Sequence, residues 1–214
     1  MKRVVIWLKT ADRQDATLSE LGRQAAWEAL CSFTGETREE LERSGVMLKK
    51  HSNGKPFFEG SHIGVSISHT SKTKKAVAVA AIYEGEVGVD VEDALRESWK
   101  VAKRMFSQQE QDWVREHEDI GFARIWTLRE SYAKWTGLGL AKMPAVEFWI
   151  EENGDIRCSD TGCSAFSFCV PDEEWRISCI TDRQDRVEME VFLEGKIFLK
   201  KYWKNALQIK HHHV

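Results

Sequence analysis

Several common functional signatures are missing from this chain of 214 residues. It has no CxxC pair, no GxxxxGK[ST] phosphate loop, no GxGxxG turn, no internal repeat and no low-complexity stretch. A nucleotide would therefore have to be held without a glycine cradle. The five cysteines are an odd number with no histidine at ligand spacing, so they read as reduced thiols of a cytoplasmic protein. Cys158 and Cys163 bracket a polar turn, a thin basis for zinc. The apolar run Val4 to Leu8 is too short for a signal peptide or a membrane span, and no membrane partner is expected. A strong charge of one sign is also lacking. With 31 Lys and Arg against 34 Asp and Glu, the net charge of −3 does not favour nucleic acid. Local basic clusters remain at Lys49, Lys50, His51 and Lys55, and at Lys72, Lys74 and Lys75. His211 to His213 carry no weight in the reading of a site.

What is present is ordinary globular material. Hydrophobic residues make up 42% and charged residues 30%, and nine Trp and ten Phe supply bulk for a core. The length fits one large domain or two small lobes. Leu21, Ala25, Leu30 and Phe33 recur at helical spacing over 18–33, and a short helix is expected over 37–44. After the loop Ser52-Asn53-Gly54-Lys55-Pro56 the period changes. In Gly64-Val65-Ser66-Ile67-Ser68-His69, apolar and polar residues alternate as on a half-buried strand. Residues 76–83 and the alternating Val87, Val89 and Val91 predict an antiparallel hairpin turning at Glu84-Gly85-Glu86. Ser107 and Glu110 form a capping-box pattern. A longer helix is expected over 120–136, followed by strands at 145–150, 166–170, 175–180 and 187–193, with a turn at Asn153-Gly154. Helices and then strands thus occur twice. The expected fold is α+β, with two similar lobes, 1–96 and 97–214, each a small antiparallel sheet packed with helices.

Two sets of residues suggest chemistry. Asp90 and Glu92 are two apart on a predicted strand, so they share a face with Cα atoms roughly 6.5–7 Å apart. Such a pair can hold a hard cation through oxygen. The same spacing also describes a solvated strand face. Trp126, Glu130 and Lys134 form one i, i+4 row on the predicted helix, beside the apolar stripe Phe122, Ile125, Leu128, Tyr132 and Trp135. That row would suit a metal-bound phosphate, but a Glu four residues before a Lys is equally a plain helix-stabilising pair. His69, after Ser68, could donate to a phosphate or be a hydrogen-bonded structural histidine. Lys55, in its turn, has the same two readings.

In order, these segments read Gly54-Lys55-Pro56, then Ser66-Ile67-Ser68-His69, then Gly88-Val89-Asp90-Val91-Glu92. Phe106-Ser107-x-x-Glu110 follows. Last comes Trp126-Thr127-Leu128-Arg129-Glu130-Ser131-Tyr132-Ala133-Lys134, running on to Gly137-Leu138-Gly139-Leu140. Over about 54–140 the chain resembles the 4′-phosphopantetheinyl transferases, specifically the two-lobed Sfp type. It departs from the family pattern at Arg129, where a lysine is usual, and a guanidinium fork has different geometry.

The resemblance implies an enzyme that takes the phosphopantetheine arm of coenzyme A and attaches it to a serine of an apo acyl or peptidyl carrier protein. The product is 3′,5′-ADP and the cofactor is Mg²⁺. By motif position the metal ligands would be Asp90, Glu92 and Glu130. Lys134 would contact the phosphates, Ser68 and His69 would bind coenzyme A phosphates, and Lys55 the nucleotide end. Arg23 is the candidate for the adenine end. Glu130 would take the proton of the carrier serine, and Glu110 would cap its helix. A cytoplasmic monomer is expected. Two other readings stay open: a coenzyme A- or carrier-binding module without transfer, and a metal-dependent phosphohydrolase.

Overall fold

The computed structural model describes residues 2–12, 17–71, 75–93, 98–117, 120–143, 145–170 and 175–204. In chain order the elements are β1 (Lys2–Asp12), α1 (Leu18–Thr34), α2 (Arg38–Arg43), β2 (Met47–Lys50), β3 (Pro56–Glu59), β4 (Gly64–Thr70), β5 (Lys75–Tyr83) and β6 (Val87–Asp93). Then come α3 (Trp99–Met105), α4 (Gln108–Glu116), α5 (Gly121–Thr136), β7 (Phe148–Ile150), β8 (Ile156–Cys158), β9 (Cys163–Val170), β10 (Trp175–Asp182), β11 (Arg186–Leu193) and β12 (Lys196–Lys204). Three helices begin with a complete capping box: Thr17 with Glu20, Thr37 with Glu40, and Ser107 with Glu110. In each, the hydroxyl and the carboxylate satisfy two otherwise unpaired N–H groups.

The α+β class is observed. The main sheet has the order β12-β11-β1-β5-β4, and a second sheet has the order β6-β10-β9. Two short hairpins, β2-β3 and β7-β8, lie outside them. The expectation of purely antiparallel sheets fails at one ladder, since β1 and β11 run parallel. The expected hairpin of β5 with β6 also fails. β5 pairs with β1 and β4, whereas β6 crosses to pair with β10. The two strands turn into separate sheets because Val87, Val89 and Val91 do not extend the face of β5 but pack onto it. They share a core with Val77, Val79 and Ala81 of β5, Val4, Ile6 and Leu8 of β1, Ile177 and Cys179 of β10, and Met189 of β11. Ladders therefore cross residue 96 in both directions: β6 joins the later sheet, and β11 and β12 join the earlier one.

The alternation of the strands then sets four layers. Val5 and Trp7 of β1 and Ala80 and Ile82 of β5 face α1 through Ala25, Ala26, Ala29 and Leu30. On the far side α5 covers the second sheet, with Phe122, Ile125, Leu128 and Tyr132 packed against Ile180 and Cys163. The sequence stripe on this helix is thus a core face. No helix among the described residues is long and apolar enough to cross a membrane, and all five cysteines are unpaired.

One buried ion pair ties the helices of the second half together. Glu110 is 1% exposed. Its Oε2 accepts from the Ser107 N–H at 2.8 Å and from Arg129 Nη2 at 2.5 Å and Nε at 3.2 Å, while Oε1 accepts from the Phe148 N–H at 3.0 Å. Arg129 Nη2 also donates to the Val146 carbonyl at 2.9 Å. Glu110 thus caps α4, as the sequence pattern implies, and also fixes the start of β7. Removing one partner of such a pair leaves the other charged and buried. Glu110→Ala is expected to cost about 3–5 kcal/mol, read as a lowered urea midpoint, and Arg129→Lys should lose part of the same stability because one ammonium cannot reproduce the fork.

Candidate functional site

The site grows from two edge strands. β4 ends the main sheet and β6 ends the second, and the free edge of β6 lies against the side chains of β4. Ser66, Ser68 and Thr70 recur at every second position and point across this seam. Ser66 Oγ accepts from the Val89 N–H at 3.0 Å, Ser68 Oγ donates to Asp90 Oδ1 at 2.6 Å, and Thr70 Oγ1 donates to Glu92 Oε1 at 3.2 Å. The strand expected to be half-buried is therefore buried on its polar face too. Its small hydroxyls are the reason, because they satisfy groups that would otherwise be stranded away from water.

Helix α5 closes the site from above. Its row Trp126, Glu130 and Lys134 is half-buried. From the last turn Lys134 Nζ donates to Asp90 Oδ1 at 2.7 Å and to the Val89 carbonyl at 3.0 Å. Close approach of helix and strand is possible because residue 88 is glycine. A Cβ there would lie 1.9 Å from the Ser131 carbonyl oxygen and 2.5 Å from the Trp135 nitrogen. Behind the row, Thr127 Oγ1 and Ser178 Oγ are 2.7 Å apart, and Ser131 Oγ donates to the Ser178 carbonyl at 2.8 Å. Ser178 stands beside Asp90 across the β6-β10 ladder. The helix is thus bonded to the strand next to the one that carries the acids.

Asp90 and Glu92 are each 6% exposed and share the α5 face of β6. The solvated-face reading of this pair is thereby set aside. Ser68, Asp90 and Lys134 meet directly. Glu130 lies on α5 one turn before Lys134. Among the described residues no three His, Cys, Asp or Glu side chains already close around one point as a metal centre. The donor chemistry nevertheless fits a hard cation, since two buried carboxylates on one face offer only oxygen ligands.

The remaining sequence candidates sit elsewhere. His69 is exposed and, being adjacent to Ser68, points to the opposite, α1 face of β4, beside Ala78 in the ladder. Arg23 is exposed on α1, which lies on that same side of the main sheet. Lys55 Nζ is held by the Glu86 carboxylate and donates to the Trp135 carbonyl at 3.2 Å. Asn53 Nδ2 donates to the Gly137 carbonyl at 3.3 Å, so the loop before β3 docks on the end of α5. Lys49 pairs with Glu59, and His51 stacks on Phe57 with ring centroids 4.1 Å apart. Lys72 and Lys74 lie outside the described residues. Arg129, read as a variation beside Glu130, points away from the seam into its pair with Glu110. Sequence reasoning missed Ser66, Thr70 and Gly88. The signal was a hydroxyl at every second position of β4, opposite alternating acids on β6.

The chain is thus an α+β protein whose two packed sheets meet at β4 and β6, with a lysine of a covering helix set on a buried strand aspartate. The family model of the 4′-phosphopantetheinyl transferase superfamily matches residues 86–189, just under half of the chain. That stretch runs from β6 through α5 into β11. The resemblance drawn from the motifs is thus borne out by this match. The chain is 30% identical over 117 residues to the 4′-phosphopantetheinyl transferase gsp of Aneurinibacillus migulanus, covering 53% of this chain and 47% of that one. It is 28% identical over 144 residues to the 4′-phosphopantetheinyl transferase HetI of a Nostoc strain, covering 62% and 59%. It is 26% identical over 167 residues to a 4′-phosphopantetheinyl transferase of Bacillus subtilis, covering 72% of each. The chain thus spans less than two thirds of the length of the first two.

The close packing at residue 88 can be checked directly. Gly88→Ala pushes β6 away from α5 and is expected to cost about 1–3 kcal/mol, the usual range for overpacking. Urea denaturation followed by tryptophan fluorescence measures it, and a midpoint equal to that of the unmodified protein would refute the close approach.

Proposed function

We propose that this protein is a 4′-phosphopantetheinyl transferase of the holo-[acyl-carrier-protein] synthase type. It moves the phosphopantetheine arm of coenzyme A to a serine of an apo acyl or peptidyl carrier protein and releases 3′,5′-ADP. The observation that carries this reading is the direct contact of Lys134 with buried Asp90, both within the segment matched to the superfamily. The reading extends to a Mg²⁺-dependent cytoplasmic monomer whose lobes, 1–96 and 97–214, are pseudo-symmetric and exchange strands.

In this mechanism the hydroxyl of the carrier serine attacks the pantetheine-side phosphorus of the pyrophosphate. A new P–O bond forms, the bond to the bridging oxygen breaks, and 3′,5′-ADP leaves with the electron pair. Asp90, Glu92 and Glu130 would hold Mg²⁺, which supplies charge neutralisation for the pyrophosphate oxygens. Lys134, which otherwise balances Asp90, turns its ammonium to the phosphates. Ser68 keeps Asp90 oriented and contributes a hydroxyl toward a phosphate. Glu130 accepts the serine proton. His69 binds a coenzyme A phosphate, Lys55 the nucleotide end and Arg23 the adenine end. The exposure of His69 and Arg23 on the α1 side of the main sheet supports their reaching that end, away from the acids.

Incubation with coenzyme A, Mg²⁺ and a panel of apo carriers should add the mass of one phosphopantetheine to at least one of them, and should add nothing when EDTA is present. Glu130→Gln is expected to slow transfer about 10²–10⁴-fold, the span usual for a lost general base. Asp90→Asn, chosen to keep volume and a hydrogen-bonding oxygen, should bring transfer below detection with an unchanged circular dichroism spectrum. Full activity in both variants would remove the metal assignment. Tight coenzyme A binding by calorimetry without transfer would leave a binding module, and 3′,5′-ADP release without acceptor would leave a hydrolase.

A further inference from the structure

The α5 face of the second sheet carries a cationic cluster that the proposed reaction does not use. Arg176 on β10 is 7% exposed. Its Nε is buried without a hydrogen-bond partner among the described residues. Arg124, in the first half of α5, is half-buried. Its Nη2 donates to the Gly154 carbonyl at 2.9 Å, and its guanidinium rests 6.0 Å from the centroid of the Trp113 ring. Its Nε is likewise buried without a partner, as is Ser167 Oγ on β9.

The register puts these groups together. Ser167 stands beside Ser178, and Cys169 beside Arg176, across the β9-β10 ladder. Thr127, three residues after Arg124, bonds to Ser178. The first half of α5 therefore lies over this end of β10. Burial and, to a lesser degree, the charge of Arg176 push the pKa of Arg124 down to about 10. Burial also lowers the pKa of Arg176. Glu92 stands beside Arg176 in the β6-β10 ladder and accepts from Thr70 Oγ1 and the Asp93 N–H.

A buried guanidinium nitrogen without a partner is costly, and a second cation nearby adds to that cost. A doubly charged oxyanion would neutralise both, and its oxygens match the planar donor forks of arginine. We propose that Arg124, Arg176 and Ser167 form a binding site for a phosphate dianion, separate from the Asp90–Lys134 seam. The ligand is free phosphate or the phosphate monoester of a small molecule. Cys169 and Ser167 are half-buried on β9, the outer strand of the second sheet.

The test is thermal unfolding of the full chain in a phosphate-free buffer, with added inorganic phosphate or glycerol 3-phosphate and ionic strength held constant with sodium chloride. At ten times the dissociation constant, the unfolding temperature should rise by about 3–5 °C. Arg176→Met and Arg124→Gln should each remove most of that rise, whereas Lys134→Ala should keep it. Without phosphate, Arg176→Met should be at least as stable as the unmodified protein, because it removes a buried guanidinium nitrogen without a partner. A larger rise with glycerol 3-phosphate assigns the site to a phosphorylated ligand, and an equal or smaller one to free phosphate. The proposal is overturned if neither anion exceeds chloride, or if both arginine variants keep the rise. It is also overturned if Arg176→Met is destabilised equally with and without phosphate, since Arg176 would then serve a partner inside the fold. Should Arg176→Met not fold, the half-buried Arg124→Gln carries the test.

Discussion

The carboxylate of Asp90 is where three elements are joined. Ser68 reaches it from the edge of one sheet, its own strand belongs to the edge of the other, and Lys134 comes down on it from α5. A charge this far from water is tolerable only when paired and hydrogen-bonded. The requirement works in both directions. The fold must bring a lysine and a hydroxyl to Asp90, and Asp90 in turn holds the last turn of α5 and the edge of β4 at fixed positions. Any chemistry at this seam inherits that geometry, because the groups that would handle a phosphate are the same groups that close the structure.

Close packing makes the junction possible. Gly88 lets the backbone of β6 approach the Ser131 carbonyl of α5, and the hydroxyls of Thr127 and Ser131 bond the helix to β10. The Glu110–Arg129 pair performs a different task on the opposite side of the same helix, setting α4 and β7 against it. Helix α5 is therefore fixed on two sides by polar contacts and on a third by its apolar stripe. The last turn, which sets Lys134 on Asp90, has little freedom left.

Much of this was legible locally. The helix over 120–136, the Ser107–Glu110 cap and the alternation of Asp90 and Glu92 with valines each follow from a period of 3.6 or 2 and a capping rule. Those rules act within a few residues. The pairing of β6 with β10 rather than β5 was not legible, because valines at every second position fit a hairpin and a sandwich equally well. Nor was the fate of Arg129. One position from Glu130, it is turned about 100° around the helix, and only the location of Glu110 shows which neighbour it meets.

The sequence by itself determined which residues share a face: Asp90 with Glu92, Glu130 with Lys134, and Ser66 with Ser68. Such facts depend on backbone periodicity alone. The ordered motifs further gave the resemblance that the family match bears out. The tertiary structure decided which of those faces meet. It set Lys134 on Asp90, placed His69 on the side of β4 opposite Ser68, and left the Nε atoms of Arg124 and Arg176 buried without a hydrogen-bond partner among the described residues. These outcomes depend on how two sheets and a helix pack across long separations in the chain, and no local period encodes that.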